Sequence, residues 1–421
     1  MRLVSESMSK GISNSRSISY LVVILILMAA IARLLMPGIN KLMLYGVIPL
    51  LLLWRIHVHP GLFRNKYIKI YSLLIVWLLF VSLNATSYAL AMNSMKTIVG
   101  GYMLSIIFYS LSSSNKKYSP WIFSAYIIAL IGMIYFLYQR GELLAVDIEE
   151  ERLDNDEVNA NDIAYFLFYT TISVTVISWH SPIFRKWIWL GTYAAVAVGA
   201  LWLALITASR QIIVFVLPFL LLSMGYRYFH GKPLYKYLIP LAVVVVAIGY
   251  IYNSYSSSMY EGSFLQRRME HNLRDDTRAA LLKDAINTGI DHPLLGVGPG
   301  NFILYSNDGG FSHCSYTELF AVSGVLGFIL FTWLVVKFIR DQYLRYRETH
   351  DNLFMYLTIV GVAWACYNYL YAFYTSPWLI AFFFLLIGFS DNLFKQYKPI
   401  RNALPVYRDL SVWNSRDFSR R

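Results

Sequence analysis

Charge is scarce in this sequence. Asp, Glu, Lys and Arg make up 14% of its 421 residues, against 57% hydrophobic, and mean hydropathy is +0.50. A water-facing surface usually draws on about 25% charged residues. The shortage excludes a soluble globular enzyme, and the apolar excess excludes a disordered chain. Cysteine is scarcer still, with only Cys314 and Cys366. Two thiols are too few for a disulfide scaffold or a thiolate zinc centre. Rings are abundant instead: 33 Tyr, 26 Phe and 11 Trp, in keeping with side chains that gather at bilayer interfaces.

Runs of about 17–25 apolar residues cross a bilayer as helices. The sequence predicts twelve, at 18–36, 41–56, 68–86, 93–111, 120–139, 161–179, 187–206, 210–226, 236–252, 315–338, 353–373 and 376–394. The expected fold is all-α, a polytopic membrane protein with a large helical outer loop. Residues 1–252 hold nine spans and an acidic loop at 140–160, residues 253–314 form the large loop, residues 315–394 hold three more spans, and 395–421 is a basic tail. No span repeats another. The N-terminal tail, segments 55–69, 116–117, 185–186, 227–236 and 337–347, and the tail after Phe394 carry 25 of the 36 Lys and Arg. Positive loops stay in the cytoplasm, which puts both termini there and the two long loops outside. The net charge of +12 then reports orientation and not a nucleic-acid partner.

The outer cations are the ones that break the charge rule. Residues 264–288 lack Gly and Pro and predict one helix. Leu265, Met269, Leu273 and Ala280 share one face by the helical period, and Arg267, His271, Arg274 and Arg278 share the opposite one. Such a stripe suits a phosphate or pyrophosphate, because a guanidinium grips phosphate oxygens with two parallel hydrogen bonds. It equally suits a solvated face paired with Glu270, Asp275 and Asp276. Arg210 stands between two apolar runs with almost no loop, where a cation costs several kcal/mol unless it is paired or solvated. Arg33 and Lys96 lie near the outer ends of their spans, in reach of head groups. Gly296, Gly298 and Gly300 predict a tight turn leading back to the membrane. His313 then opens the tenth span, with Glu318 one turn deeper and Gly324 and Gly327 beyond. A histidine, with an ordinary pKa of about 6.5, suits a general base. His271, His292 and His313 lack the local spacing of a metal site.

His313 followed after ten residues by Gly324-x-x-Gly327 resembles the signature of the O-antigen ligase and O-antigen polymerase family. The run from Thr277-Arg278 through Ile286 to His292-Pro293-Leu294-Leu295-Gly296-Val297-Gly298-Pro299-Gly300-Asn301-Phe302 is similar to that family's loop motif. Thr207-Ala208-Ser209-Arg210 resembles its Thr-x-Ser-Arg at the start of a span. Cys314 departs from the pattern, standing where the family usually has Asn, Ser or Gln, and a thiol is a poor hydrogen-bonding partner.

The resemblance implies an inverting, metal-independent glycosyltransferase without cofactor. It would sit in the bacterial inner membrane with its active site facing the periplasm. Its donor would be an undecaprenyl-pyrophosphate-linked glycan. The acceptor would be another lipid-linked repeat unit for a polymerase, with a chain-length regulator as partner, or lipid A–core for a ligase. Arg210 and Arg278, with Arg274 and Arg267 behind them, are then the expected pyrophosphate ligands. His313 is the expected catalytic group, and Arg33, Lys96 and Glu318 are supporting residues. A lipid-linked oligosaccharide transporter is the competing class, but it would carry ionisable residues near the midplane and a repeat between halves.

Overall fold

A computed structural model describes residues 42–114, 119–141, 160–180, 186–229 and 277–402. Within them the chain is helical, with no strand. The helices are α1 (Ile48–Val58), α2 (Lys66–Ser82), α3 (Tyr88–Ser114), α4 (Ser124–Gln139), α5 (Ala160–His180), α6 (Lys186–Thr207), α7 (Leu217–Phe229), α8 (Thr277–Asp291), α9 (Ser315–Thr349), α10 (Asn352–Tyr367) and α11 (Pro377–Asn402). Seven helical stretches are long and apolar enough to cross a membrane: α3, α5, α6, α9, α11, the stretch Pro120–Gln139 that includes α4, and Ile212–Phe229, in which a π-helical turn leads into α7. The expected runs 41–56, 68–86 and 353–373 correspond to the shorter α1, α2 and α10. Runs 18–36 and 236–252, nearly all of the acidic loop 140–160, and residues 253–276 fall outside the described residues.

Apolar residues surround these helices, so each buries one side and exposes another. On α2, Leu74, Leu78 and Val81 are buried while Leu73, Val76 and Phe80 are exposed. On α9, Leu330, Leu334 and Phe338 are buried while Ile329, Trp333 and Val336 form an exposed stripe. Contiguous apolar surface of this kind is rare on soluble monomers, and hydrocarbon is its natural solvent. At the centre lies α11, buried from Leu379 through Ile387. Its rings stack on two neighbours: Phe383 on Trp364 (centroids 4.2 Å apart) and Phe382 on Tyr169 (4.1 Å). Parallel α3 packs closest, over Gly101 and Gly388. A Cβ at Gly388 would meet the Tyr109 carbonyl oxygen at 2.5 Å, so this crossing needs small residues.

One end of the bundle is tied by a polar clasp. Arg345 pairs with Asp391, whose other oxygen accepts from Asn65 Nδ2 (3.0 Å) and Tyr109 OH (3.0 Å). Asp341 accepts from Tyr67 OH (2.7 Å) and pairs with Lys337 (2.8 Å). The basic segments 55–69 and 337–347 therefore meet at the same end. The second of these is not a loop, as the apolar run suggested. It is the charged continuation of α9, which runs on to Thr349 before His350 closes it in the left-handed conformation.

The other end is organised by a break in α9. Gly324 has φ 65° and ψ −168°, a region essentially restricted to glycine. The break frees backbone groups of the preceding turn, and the loop after α8 meets them. Val297 N–H donates to Ala321 O (2.9 Å), Gly298 N–H to Val322 O (3.0 Å), and Val325 N–H to Pro293 O (2.9 Å). Trp77 Nε1 donates to Ser323 O (2.8 Å). Gly296 is left-handed at φ 66°, and a Cβ there would lie 2.4 Å from Ser323 N. The expected glycine turn and Gly324, the first glycine of the Gly-x-x-Gly pair, are thus two halves of one contact, while Gly327 faces Trp77. Asn301 fastens the loop to the start of α3, its Oδ1 accepting from Ser87 N–H (2.6 Å) and its Nδ2 donating to Ser87 O (3.2 Å).

Candidate functional site

The half-helix Ser315–Ser323 begins at a welded corner. Ser315 N–H donates to Asn368 O (2.8 Å), and its hydroxyl accepts from Phe373 N–H (2.9 Å) beside Asn368 Oδ1 (2.7 Å). Tyr316 OH reaches Ala365 O (3.0 Å). Cys314, the N-cap, is buried and gives the helix no side-chain cap. A hydroxyl or amide would normally satisfy orphan N–H groups there. Glu318, one turn inside the helix, binds instead the residue that leads into this corner. Its Oε2 accepts from Ser312 N–H (3.1 Å) and Ser312 Oγ (3.0 Å), and Tyr374 OH donates to the same carboxylate. Burial first, and the adjoining Glu318 carboxylate second, raise the Tyr374 hydroxyl well above its ordinary pKa. It therefore remains a donor.

His313 lies inside this arrangement in the left-handed conformation, at φ 55°. Ser312, Cys314 and Ser315 are buried around it, and His313 alone of the four is partly exposed.

Arg210 stands at a similar reversal. Ala208, at φ 45°, ends α6, and a new helical turn starts at Arg210. Arg210 is half-buried. Its neighbour Gln211 accepts at Oε1 from Tyr367 OH (3.2 Å). Arg278 is the second residue of α8 and also half-buried. Arg278 and Asp162, in the first turn of α5, both act electrostatically on Tyr165 and Tyr367. These tyrosines form a wall with Tyr371 and Phe373: Tyr165 lies 4.5 Å from Tyr371 and 5.4 Å from both Tyr367 and Phe373 between ring centroids. The Tyr371 carbonyl oxygen is 3.0 Å from Ser315 Oγ, two residues after His313. The elements that carry Arg210, Arg278 and His313 therefore meet at one group of tyrosines. Ser209 Oγ, Gln211 Nε2 and Tyr165 OH are buried along these elements and make no hydrogen bond to the protein. Among the described residues no three His, Cys, Asp or Glu side chains group as metal ligands do.

No family model matches the chain, and no curated protein does.

Several expectations change on the structure. Arg33, Arg267 and Arg274 lie outside the described residues, as does His271. Lys96 is exposed on α3 and takes part in none of the bonds above. The loop helix runs to Asp291, three residues past its expected end, and carries Gly289 where a Cβ would lie 2.3 Å from the Phe320 ring. Ala280, assigned to its apolar face, is exposed, and the buried stripe is Leu281, Ala285 and Thr288. Asp162, Tyr165, Gln211 and Tyr367 are further residues of the candidate site, beyond those expected from the sequence. Asp162 carried a readable signal, a carboxylate in the first turn of an apolar span. The tyrosines carried none, because a ring in an apolar run reads as core.

Proposed function

We propose that this protein is an inverting, metal-independent glycosyltransferase of the bacterial inner membrane, acting at the periplasmic face. It polymerises O-antigen or related repeat units carried on undecaprenyl pyrophosphate. The observation that carries the reading is the shared tyrosine wall, onto which the Arg210, Arg278 and His313 elements converge at the end of the bundle opposite the basic clasp.

The chemistry follows from those groups. An acceptor sugar hydroxyl attacks the anomeric carbon of the donor from the side away from pyrophosphate. A new C–O bond forms, the bond to the phosphate oxygen breaks, and its electron pair leaves on undecaprenyl pyrophosphate, inverting the centre. The hydroxyl proton passes to the neutral His313 imidazole. Arg210 and Arg278 meet the negative charge that grows on the leaving group, the largest single aid to such a step in a site shielded from water. A ligase would run the same step onto lipid A–core, so the acceptor alone separates the two.

The test is purified protein in lipid vesicles with lipid-linked repeat units. A ladder of lengthening products without lipid A supports polymerisation. Product formed only on added lipid A–core moves the assignment to a ligase. No transfer to either acceptor overturns the reading.

A further inference from the structure

We infer that Glu318 is a positioning residue that fixes the left-handed turn at His313 through Ser312, and so aims the imidazole at the acceptor. This rests on the reading of His313 as the base. The turn itself requires a cause. A left-handed backbone is unfavourable for a residue with a side chain and persists only where its surroundings over-determine it. The Glu318 carboxylate holds Ser312, the residue before His313, and Ser312 with the Glu318 backbone holds Cys314, the residue after it. Glu318 Oε2 accepts from both the N–H (3.1 Å) and the hydroxyl (3.0 Å) of Ser312. The same hydroxyl oxygen accepts from Cys314 N–H (3.3 Å) and lies 3.2 Å from Cys314 O. Glu318 N–H closes the circuit on Cys314 O (3.0 Å). The side chain and backbone of one residue thereby clamp 312 and 314 on either side of the left-handed 313. Tyr374 OH, on the turn before α11, also bonds the carboxylate. Glu318 is 3% exposed, too deep to meet substrate, so any effect on turnover passes through His313.

A carboxylate that merely capped the helix would affect stability and leave catalysis alone. The two roles separate in the kinetics of four variants in detergent or vesicles: His313→Ala, Glu318→Leu, Glu318→Gln and the double variant His313→Ala/Glu318→Leu. Glu318→Leu is expected to lower kcat about a hundredfold, the scale of an ångström of misplacement, with KM for the lipid-linked donor unchanged. Glu318→Gln keeps an acceptor oxygen for Ser312 and should retain kcat within a few-fold. In the double variant the leucine should add nothing to the histidine loss, because residues acting as one unit are not additive. Wild-type kcat in Glu318→Leu, a parallel rise in KM, or a full additional loss in the double variant overturns the inference. If Glu318→Leu does not fold, Ser312→Ala carries the test, with about a tenfold fall in kcat at constant KM expected and no fall overturning it. Full turnover in His313→Ala would instead overturn the role of His313 itself, an outcome distinct from failure of the clamp.

Discussion

Ala208 and His313 share a backbone state that few residues with a Cβ adopt. Ala208 sits where one apolar run gives way to the next, two residues before Arg210, and His313 sits where the large loop enters α9. Neither reversal was legible as a conformation, because an apolar run reads the same whether its helix is continuous or broken. What the sequence did display were the polar residues themselves, Arg210 between two apolar runs and His313 at the mouth of a span. Their expected contributions differ in kind. His313→Ala should lower turnover by the roughly 10²–10⁴-fold typical of acid–base catalysis, while excess EDTA leaves wild-type turnover unchanged. Survival of the first or loss in the second would remove the mechanism. Arg210→Lys should restore little of what Arg210→Ala loses, since an ammonium cannot reproduce the two-pronged grip of a guanidinium. Steady-state rates of the two variants at saturating donor decide this. Gly324→Ala tests a backbone requirement. Its φ and ψ, with a Cβ 2.3 Å from Leu294 O, should cost at least about 1–3 kcal/mol, read as a lower midpoint in thermal unfolding.

Among the elements, α9 departs furthest from expectation. Its outer third is a separate half-helix, and its inner third is a charged extension that clasps α2, α3 and α11. Length and hydropathy revealed the middle because those are the properties a bilayer selects. The break depends on hydrogen bonds from residues far away in sequence, which no local pattern displays. The loop helix α8 shows the same limit. Its period was readable, but phased over 264–288 it put Ala280 on the wrong face, and Leu281 with Ala285 is what packs. Trp77 offers a measurement at this scale. Trp77→Phe keeps the ring packing but leaves the Ser323 carbonyl without its donor. An unmet buried carbonyl costs about 1–3 kcal/mol, so this variant should unfold earlier than wild type, and an unchanged midpoint would show that the indole does not support the break.

At the scale of the whole molecule, the polar clasp and the tyrosine wall mark opposite ends. Lys and Arg gather at the clasp end, which the charge rule assigns to the cytoplasm. A single cysteine at the N-terminus, in a chain with Cys314 and Cys366 replaced, should resist a membrane-impermeant reagent added to intact cells and react after permeabilisation. Labelling before permeabilisation would invert the topology and remove the periplasmic site with it. The break at Gly324 also bears on how the chain is made. Synthesis proceeds from the N-terminus, so Trp77 and then Pro293–Gly298 leave the ribosome before Ala321–Val325. Every partner that the interrupted turn requires is already waiting when that turn arrives. The span from Val297 to Ala321 is short, and closing so small a loop costs little entropy. With the order reversed, the fractured turn would be made before any of the groups that complete it.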